Sequence, residues 1–399
     1  MDDAGGPLGR YVVLDLTGLV GQFAGKILAD LGLDVIKVEP VSGDEVRRRG
    51  PFKAGDPDSE GSLTFAYLNG GKKSISLDIE HPEGRELLAR LIRRADVLLE
   101  SFSPGDAERL GLGEAELRDL NPGLVTVSIT GFGKVGLRSS QLAPDIVTLA
   151  TGGILNMSGD PNLPPCKPPE QQSYYFAGAY AAMAVLACLW GREADGLGDW
   201  ADVSVQEAVA VQEHLIRAWA NDGQNIPRYG SQHRVIAPAS IFPTNDGFVS
   251  LYVSFEHWPA FLSIWKNHPA DLDDAEWRSN LKRRQDADRI NALVSAFSSS
   301  YSTADFVDML QGSGIPCLPV NSPRDFLDDP HIKARGVFQP VTHPVLGTYL
   351  SMSFPAVHDG TRLPVSPPPR LGEHTDAVLA GMLDLDPLDL ELLFARRVI

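Results

Sequence analysis

The sequence predicts an α/β protein built on a parallel sheet, and three observations lead there. Short apolar, β-branched runs alternate with amphipathic stretches through the first third of the chain. Helical patterns fall between successive runs, which calls for right-handed crossovers and parallel strand pairing. A turn signal near residue 244 then marks a change to hairpin patterning.

Residues 11–16 (YVVLDL) read as a buried strand, and 22–31 as an amphipathic helix that Gly32 closes in the left-handed conformation. Residues 35–38 form the second strand. Residues 74–79 alternate with period two, and 82–95 set Leu87, Leu88, Leu91 and Ile92 on one helical face. Strands at 97–99 and 124–129 flank a helix at 106–120. A Pro-rich loop (Pro161, Pro164, Pro165, Pro168, Pro169) leads into a helix at 174–190 whose Ala and Gly content calls for close backbone packing. A strand at 200–203 and a helix at 205–219 follow. The hairpin at 241–253 turns on Thr244-Asn245-Asp246-Gly247, and helices carrying Trp258, Phe261, Trp265 and Phe306 read as a smaller domain. Strand character returns at 316–320, and the tail adds a hairpin around Gly347, a Pro-rich stretch and two short helices.

Composition narrows the function. The net charge of −17 argues against a nucleic-acid partner, which needs clustered cations. Arg47-Arg48-Arg49 and Lys72-Lys73 are local exceptions, read as solvated surface or as holds for a small polyanion. The longest apolar run, 176–190, is too short to span a bilayer, and the acidic N-terminus has no apolar signal region, so no membrane partner is expected. Cys166, Cys188 and Cys317 are too scattered for a disulfide framework, and the expected setting is the reducing cytoplasm. The nine histidines form no metal-ligand spacing, and no metal is expected. Gly18-x-x-Gly21 follows the first strand without the remaining glycines of a dinucleotide fingerprint. Those glycines fit a helix starting close to the sheet, although Glu39 ends the second strand near where a ribose ligand would be sought.

An ordered set of phrases carries a more specific message. VVLDLTGLVGQFAGKILADLGLDVIKVEP, NGGKKSISLD, ADVLLESFSPGDAERLGLG, NPGLVTVSITGFG and APDIVTLATGGILNMSG are followed by GLGDWADVSVQEAV, FPTNDGFVSLYV, GIPCLPVNSPRDFLDDPHIKARG and PPPRLGEHTDAVL. Together, over residues 11–380, they resemble the family III CoA-transferases (the CaiB/BaiF group, with formyl-CoA transferase). The resemblance implies a Rossmann-like large domain with a parallel sheet, a smaller α+β domain, and two chains interlocked as a dimer. The boundaries expected are 1–221 for the N-terminal part of the large domain, 222–330 for the small domain with linkers, and 331–399 for the return to the large domain. Acyl-CoA or CoA and a carboxylic acid are the implied substrates, with no permanently bound cofactor. Leu77, Ser101, Phe102, Ser103 and Arg109 match the positions where the family contacts the nucleotide. Glu80, Pro40 and Leu142 stand where formyl-CoA transferase offers cations.

The resemblance also exposes a loss. The family's nucleophilic aspartate lies four residues before the glycine of the small-residue helix, and here that position is Tyr174. Glu170, one helical turn earlier, fits a helix N-terminus or a substitute nucleophile, while Asp145 fits an orienting acid. The racemase branch of the family uses a histidine directly before the acid, where this chain has Pro144. The expected activity is therefore CoA transfer, as a homodimer with altered chemistry or as a heteromer with a related subunit that supplies the acid. A non-catalytic CoA-binding scaffold and a racemase-like enzyme are the alternatives.

Overall fold

The computed structural model describes residues 8–55, 60–212 and 215–399, so the first seven residues and the middle of the helix expected at 205–219 lie outside the described residues. The chain divides into two compact units. One comprises Met1–Ile154, Pro168–Arg217 and Lys333–Ile399, and the other Leu155–Lys167 and Ala218–Ile332.

The first unit is built on six parallel strands: β1 (Val12–Leu16), β2 (Asp34–Glu39), β3 (Lys73–Ser76), β4 (Val97–Glu100), β5 (Val125–Thr130) and β6 (Trp200–Ser204). Their order is β3-β2-β1-β4-β5-β6, so the chain reverses direction across the sheet between β1 and β4. The helices between them are α1 (Gln22–Asp30), α2 (Leu63–Asn69), α3 (Pro82–Ile92), α4 (Asp106–Arg109), α5 (Glu114–Leu120), α6 (Asp145–Thr151) and α7 (Gln172–Asp195). Side chains alternate across β1: Val13 packs with Ala24 and Leu28 of α1 and Ala177 and Ala181 of α7, whereas Leu14 packs with Leu87, Leu88 and Leu91 of α3. Both sheet faces are thus covered, as a parallel sheet requires.

Local chemistry sets the boundaries. Gly32 ends α1 at φ +95°. The single helix expected at 106–120 is two, because Gly111 turns the chain at φ +76° and Gly113 caps the second piece. The period-two stretch at 74–79 supplies only the strand ending at Ser76. The helix expected at 174–190 starts at Gln172 and runs for 24 residues, long and apolar enough by those criteria alone to cross a membrane. Its inner face instead fills the core, and a Cβ on Gly178 would stand 2.9 Å from Phe23 Cβ and 3.1 Å from the Ala24 nitrogen of α1. This is the backbone-to-backbone approach that its small residues permit.

The C-terminal segment returns to the β3 edge. The amides of Gly372 and His374 donate to the Oγ and carbonyl oxygen of Ser74, and Asp78 N donates to the carbonyl of Val398. An edge strand left open would offer unpaired backbone groups, and this return occupies them. The clamp that secures it is ionic. Arg47 and Glu39 are both fully buried, and Arg47 Nε and Nη2 donate to the two Glu39 oxygens at 2.7 and 2.8 Å. Nη2 also donates to the carbonyl of Pro369, and Glu60 bridges Nη1 of Arg47 to the amide of Leu371. Arg47 and Lys72, which the sequence places in basic clusters that read as surface, are therefore internal.

The second unit carries an antiparallel sheet of β7 (Ala239–Pro243), β8 (Phe248–Tyr252) and β9 (Cys317–Pro319). Thr244 N donates to the carbonyl of Gly247 to close the hairpin turn. Trp258, Phe261, Phe306 and Leu310 form its core with Val249 and Leu251.

Replacing one partner of a buried ion pair strands the other without solvent. Arg47→Met is expected to cost about 3–5 kcal/mol in urea unfolding, and Glu39→Gln combined with it to recover part of that loss. Equal midpoints for wild type and Arg47→Met would show that the clamp contributes no stability.

Candidate active site

The strand ends on the carboxyl side of the sheet open into a cleft of about 470 Å³. This is the position where parallel sheets place ligands, beside the strand-order reversal. Leu16 and Gly18 come from the β1 end, Glu39 and Pro40 from β2, Leu77 and Glu80 from beyond β3, and Phe102 and Arg109 from beyond β4. Gly21, at the start of α1, lets that helix sit close to the sheet: a Cβ there would meet Thr17 Cγ2 at 2.6 Å and Ile129 Cδ1 at 2.9 Å.

Of the residues the sequence singled out, the fold brings Leu77, Phe102 and Arg109 to this one cleft. Ser101 supports its wall, its Oγ accepting from Gly18 N at 2.8 Å. Ser103 opens α4 by accepting from Asp106 N through its carbonyl. Phe102 is held from both sides of its peptide. Its amide donates to Glu100 at 2.7 Å, its carbonyl accepts from Lys134 Nζ at 3.2 Å, and Lys134 pairs with Glu100 at 2.9 Å.

Charge in the cleft is unevenly matched: six carboxylates line it against Lys37, Arg48 and Arg109. Lys37 is spent on the Thr17 carbonyl and on Asp44, and Arg48 donates to the Ser42 carbonyl. Arg109 is locked two-pronged onto Glu80, at 2.7 and 2.9 Å, with Asp106 at 3.6 Å. This pairing holds the Glu80 carboxyl below, and the Arg109 guanidinium above, its ordinary range.

Behind the cleft wall lies a buried polar network that the sequence reading passed over. Lys72 Nζ donates to Asp15 at 2.7 Å and to the Gln22 carbonyl, and Gln22 joins Asp44 to Asn69 through its amide. Burial pulls the Lys72 ammonium down to about 8 against the pull of Asp15. Burial by itself would raise Asp15, but Lys72 and Lys37 outweigh it and hold the carboxyl low. The available signal was a charge inside three of the apolar strands: Asp15, Lys37, Glu39 and Glu100 interrupt runs that otherwise read as buried.

The remaining candidates meet where α6 and α7 begin. Asp145 is the first residue of α6, and its Oδ1 accepts from the amide and hydroxyl of Ser173 at 3.0 and 2.8 Å. Tyr174 is the next residue on α7 and is 8% exposed. Burial pushes its phenol up and the Asp145 carboxylate pushes it further, outweighing the opposing pull of the Asp145 backbone hydrogen bond and of Arg49. Glu170 is not in the first turn of the helix. It precedes the N-cap Gln171 and takes a left-handed φ of +59°. Among the described residues no three His, Cys, Asp or Glu side chains gather as a metal site.

Comparison with known proteins agrees with this architecture. A family model described as CoA-transferase family III matches residues 8–375. The chain is 31% identical to the succinyl-CoA:glutarate CoA-transferase of Mus musculus, across 98% of this chain and 90% of that protein. It is also 31% identical to BbsE of Thauera aromatica, described as a subunit of succinyl-CoA:(R)-benzylsuccinate CoA-transferase, across 93% of each. The crystal structure of a CAIB/BAIF family protein from Brucella suis superposes with a TM-score of 0.85 at 29% identity, covering 95% of this chain and all of that one. The sheet order, the cleft at its strand ends and these similarities have one meaning: the chain belongs to CoA-transferase family III.

Proposed function

We propose that the chain binds a CoA thioester in the strand-end cleft and acts as the non-nucleophilic subunit of a CoA-transferase, exchanging CoA between an acyl-CoA and a carboxylic acid. The carboxylate nucleophile then comes from a related partner chain in a cytoplasmic heteromer. The observation that supports this reading is Tyr174, a buried phenol pushed above its usual pKa, at the position that the resemblance to the family, counted back from Gly178, assigns to the nucleophilic aspartate.

The chemistry explains why a phenol does not substitute. A carboxylate that attacks an acyl-CoA forms a mixed anhydride and releases CoA thiolate. That thiolate returns to the enzyme's own carbonyl, so CoA stays on the protein as a thioester while the carboxylic acids exchange. A phenol carries no carbonyl, so even if acylated it leaves the thiolate nothing on the protein to attack. With a pKa above ~10, it also stays neutral at pH 7. Leu77 and Phe102 supply apolar walls for a nucleotide base, with Ser101 and Ser103 shaping the loop that presents Phe102, and Arg109 supplies a two-pronged phosphate donor. The relative described as a subunit supports the heteromer.

A second reading has one observation in its favour. Glu170 adopts a φ of +59°, a conformation that costs energy in a non-glycine residue and concentrates at functional sites. There Glu170 is a relocated nucleophile, with Asp145 orienting the start of α7 through Ser173.

Mass spectrometry of the pure chain mixed with a panel of acyl-CoAs, with hydroxylamine or borohydride trapping, separates the two. The subunit reading expects CoA to bind and no trapped carboxyl adduct to form. An adduct on Glu170 that Glu170→Gln abolishes establishes the second reading and overturns the first. Tyr174→Asp is expected to gain an adduct at residue 174 that the wild type lacks. Arg109→Ala is expected to weaken CoA binding by roughly five- to tenfold in calorimetry, since it removes a charge-assisted phosphate contact.

A further inference from the structure

Two of the three cations that line the cleft are paired with carboxylates. Lys37 is almost fully buried and bound to Asp44 and the Thr17 carbonyl, and its ammonium serves the floor. Arg48 faces Ser42. Arg109 presents a planar two-donor edge, and Glu80 takes both of its prongs from the opposite side of the cleft, from the segment that follows β3. The two residues are 29 positions apart, so the pair is a tertiary contact rather than a helical i,i+4 accident. Glu80 is itself held in place: its amide donates to Asp78 Oδ1 at 3.0 Å.

Resting on the reading of this cleft as the CoA site, we propose that Glu80 is an affinity- and specificity-setting residue. It occupies Arg109 as an internal stand-in for a ligand phosphate, and the nucleotide binds only by displacing it. The geometry fits this role. A carboxylate and a phosphate present the same pair of oxygens to a guanidinium fork. Both partners are more than half exposed, at 53% and 59%, so the pair opens readily and holds the arginine in its binding rotamer meanwhile. Once displaced, the Glu80 carboxylate stays beside the incoming anion with Asp106 and Asp78, and their like charge disfavours each additional phosphate. The consequence is moderate affinity for the full CoA nucleotide and a narrow advantage over thioesters that carry fewer phosphates.

The test is a double-mutant cycle on CoA affinity, measured by calorimetry with wild type, Glu80→Gln, Arg109→Gln and the double variant, using CoA and pantetheine as probes. Both side chains are surface residues, and circular dichroism with urea midpoints confirms that each variant is folded. Glu80→Gln is expected to tighten CoA about fivefold while leaving pantetheine unchanged, and in the Arg109→Gln background its effect is expected to fall below about twofold. Unchanged or weaker CoA binding in Glu80→Gln overturns the proposal. A fivefold gain that persists without Arg109 also overturns it, because Glu80 then acts as a remote negative charge and not as a competitor for the guanidinium. A chain that binds no CoA in any of the four forms overturns the assignment of the cleft itself.

Discussion

The buried pair of Glu39 and Arg47 is the constraint from which the functional half of the large unit is built. Glu39 ends β2, at the strand terminus that forms part of the cleft, and its side chain is fully buried. Charge in such a place requires a partner with several donors, and Arg47 supplies them from the turn Glu45–Arg48. That turn is consequently fixed over the strand ends, and Glu45 and Arg48 become cleft walls. Ser74 Oγ donates to the same carboxylate at 2.6 Å and accepts from Gly372, which ties β3 and the returning C-terminal segment to one ion pair. Phe65 stacks against the Arg47 guanidinium at 3.8 Å and completes its enclosure. A hydrophobic pair of equal volume would hold the elements together, but it would not dictate the angle at which they meet.

A second theme is that cations in this acidic protein are held by the protein itself. Lys37, Lys72, Arg47 and Lys134 all sit inside or against the sheet with carboxylate partners, and Arg109 is paired in the cleft. The net charge of −17 therefore understates how little free positive charge is available to a polyanionic ligand. Glu100 and Lys134 illustrate it: they pair with each other and fix the backbone of Phe102.

The start of α7 shows how a fold can hold one side chain in a fixed place. Asp145 binds the amide and hydroxyl of Ser173, and Gly178 lets the helix press onto α1, so residue 174 is positioned accurately. The side chain delivered there is a buried phenol.

Much of this was legible in one dimension. Periodicity, Gly32 and the alternation of strand and helix determine the parallel sheet, because burial on both faces leaves a pattern in every strand. The ordered phrases determine the family. Local rules failed where distant residues decide the outcome. Gly111 and Gly113 split a helix that its apolar spacing made continuous, and Arg47 and Lys72 look like surface cations until the fold brings Glu39 and Asp15 to them. No local pattern reveals that Glu80 claims Arg109, since the contact exists only once β3 and β4 deliver their following loops to one cleft. The sequence by itself determined which elements form and to which family they belong, because backbone periodicity and residue identity are local properties. Only the tertiary structure decided which charges meet, because an ion pair depends on a separation in space that the order of residues does not contain.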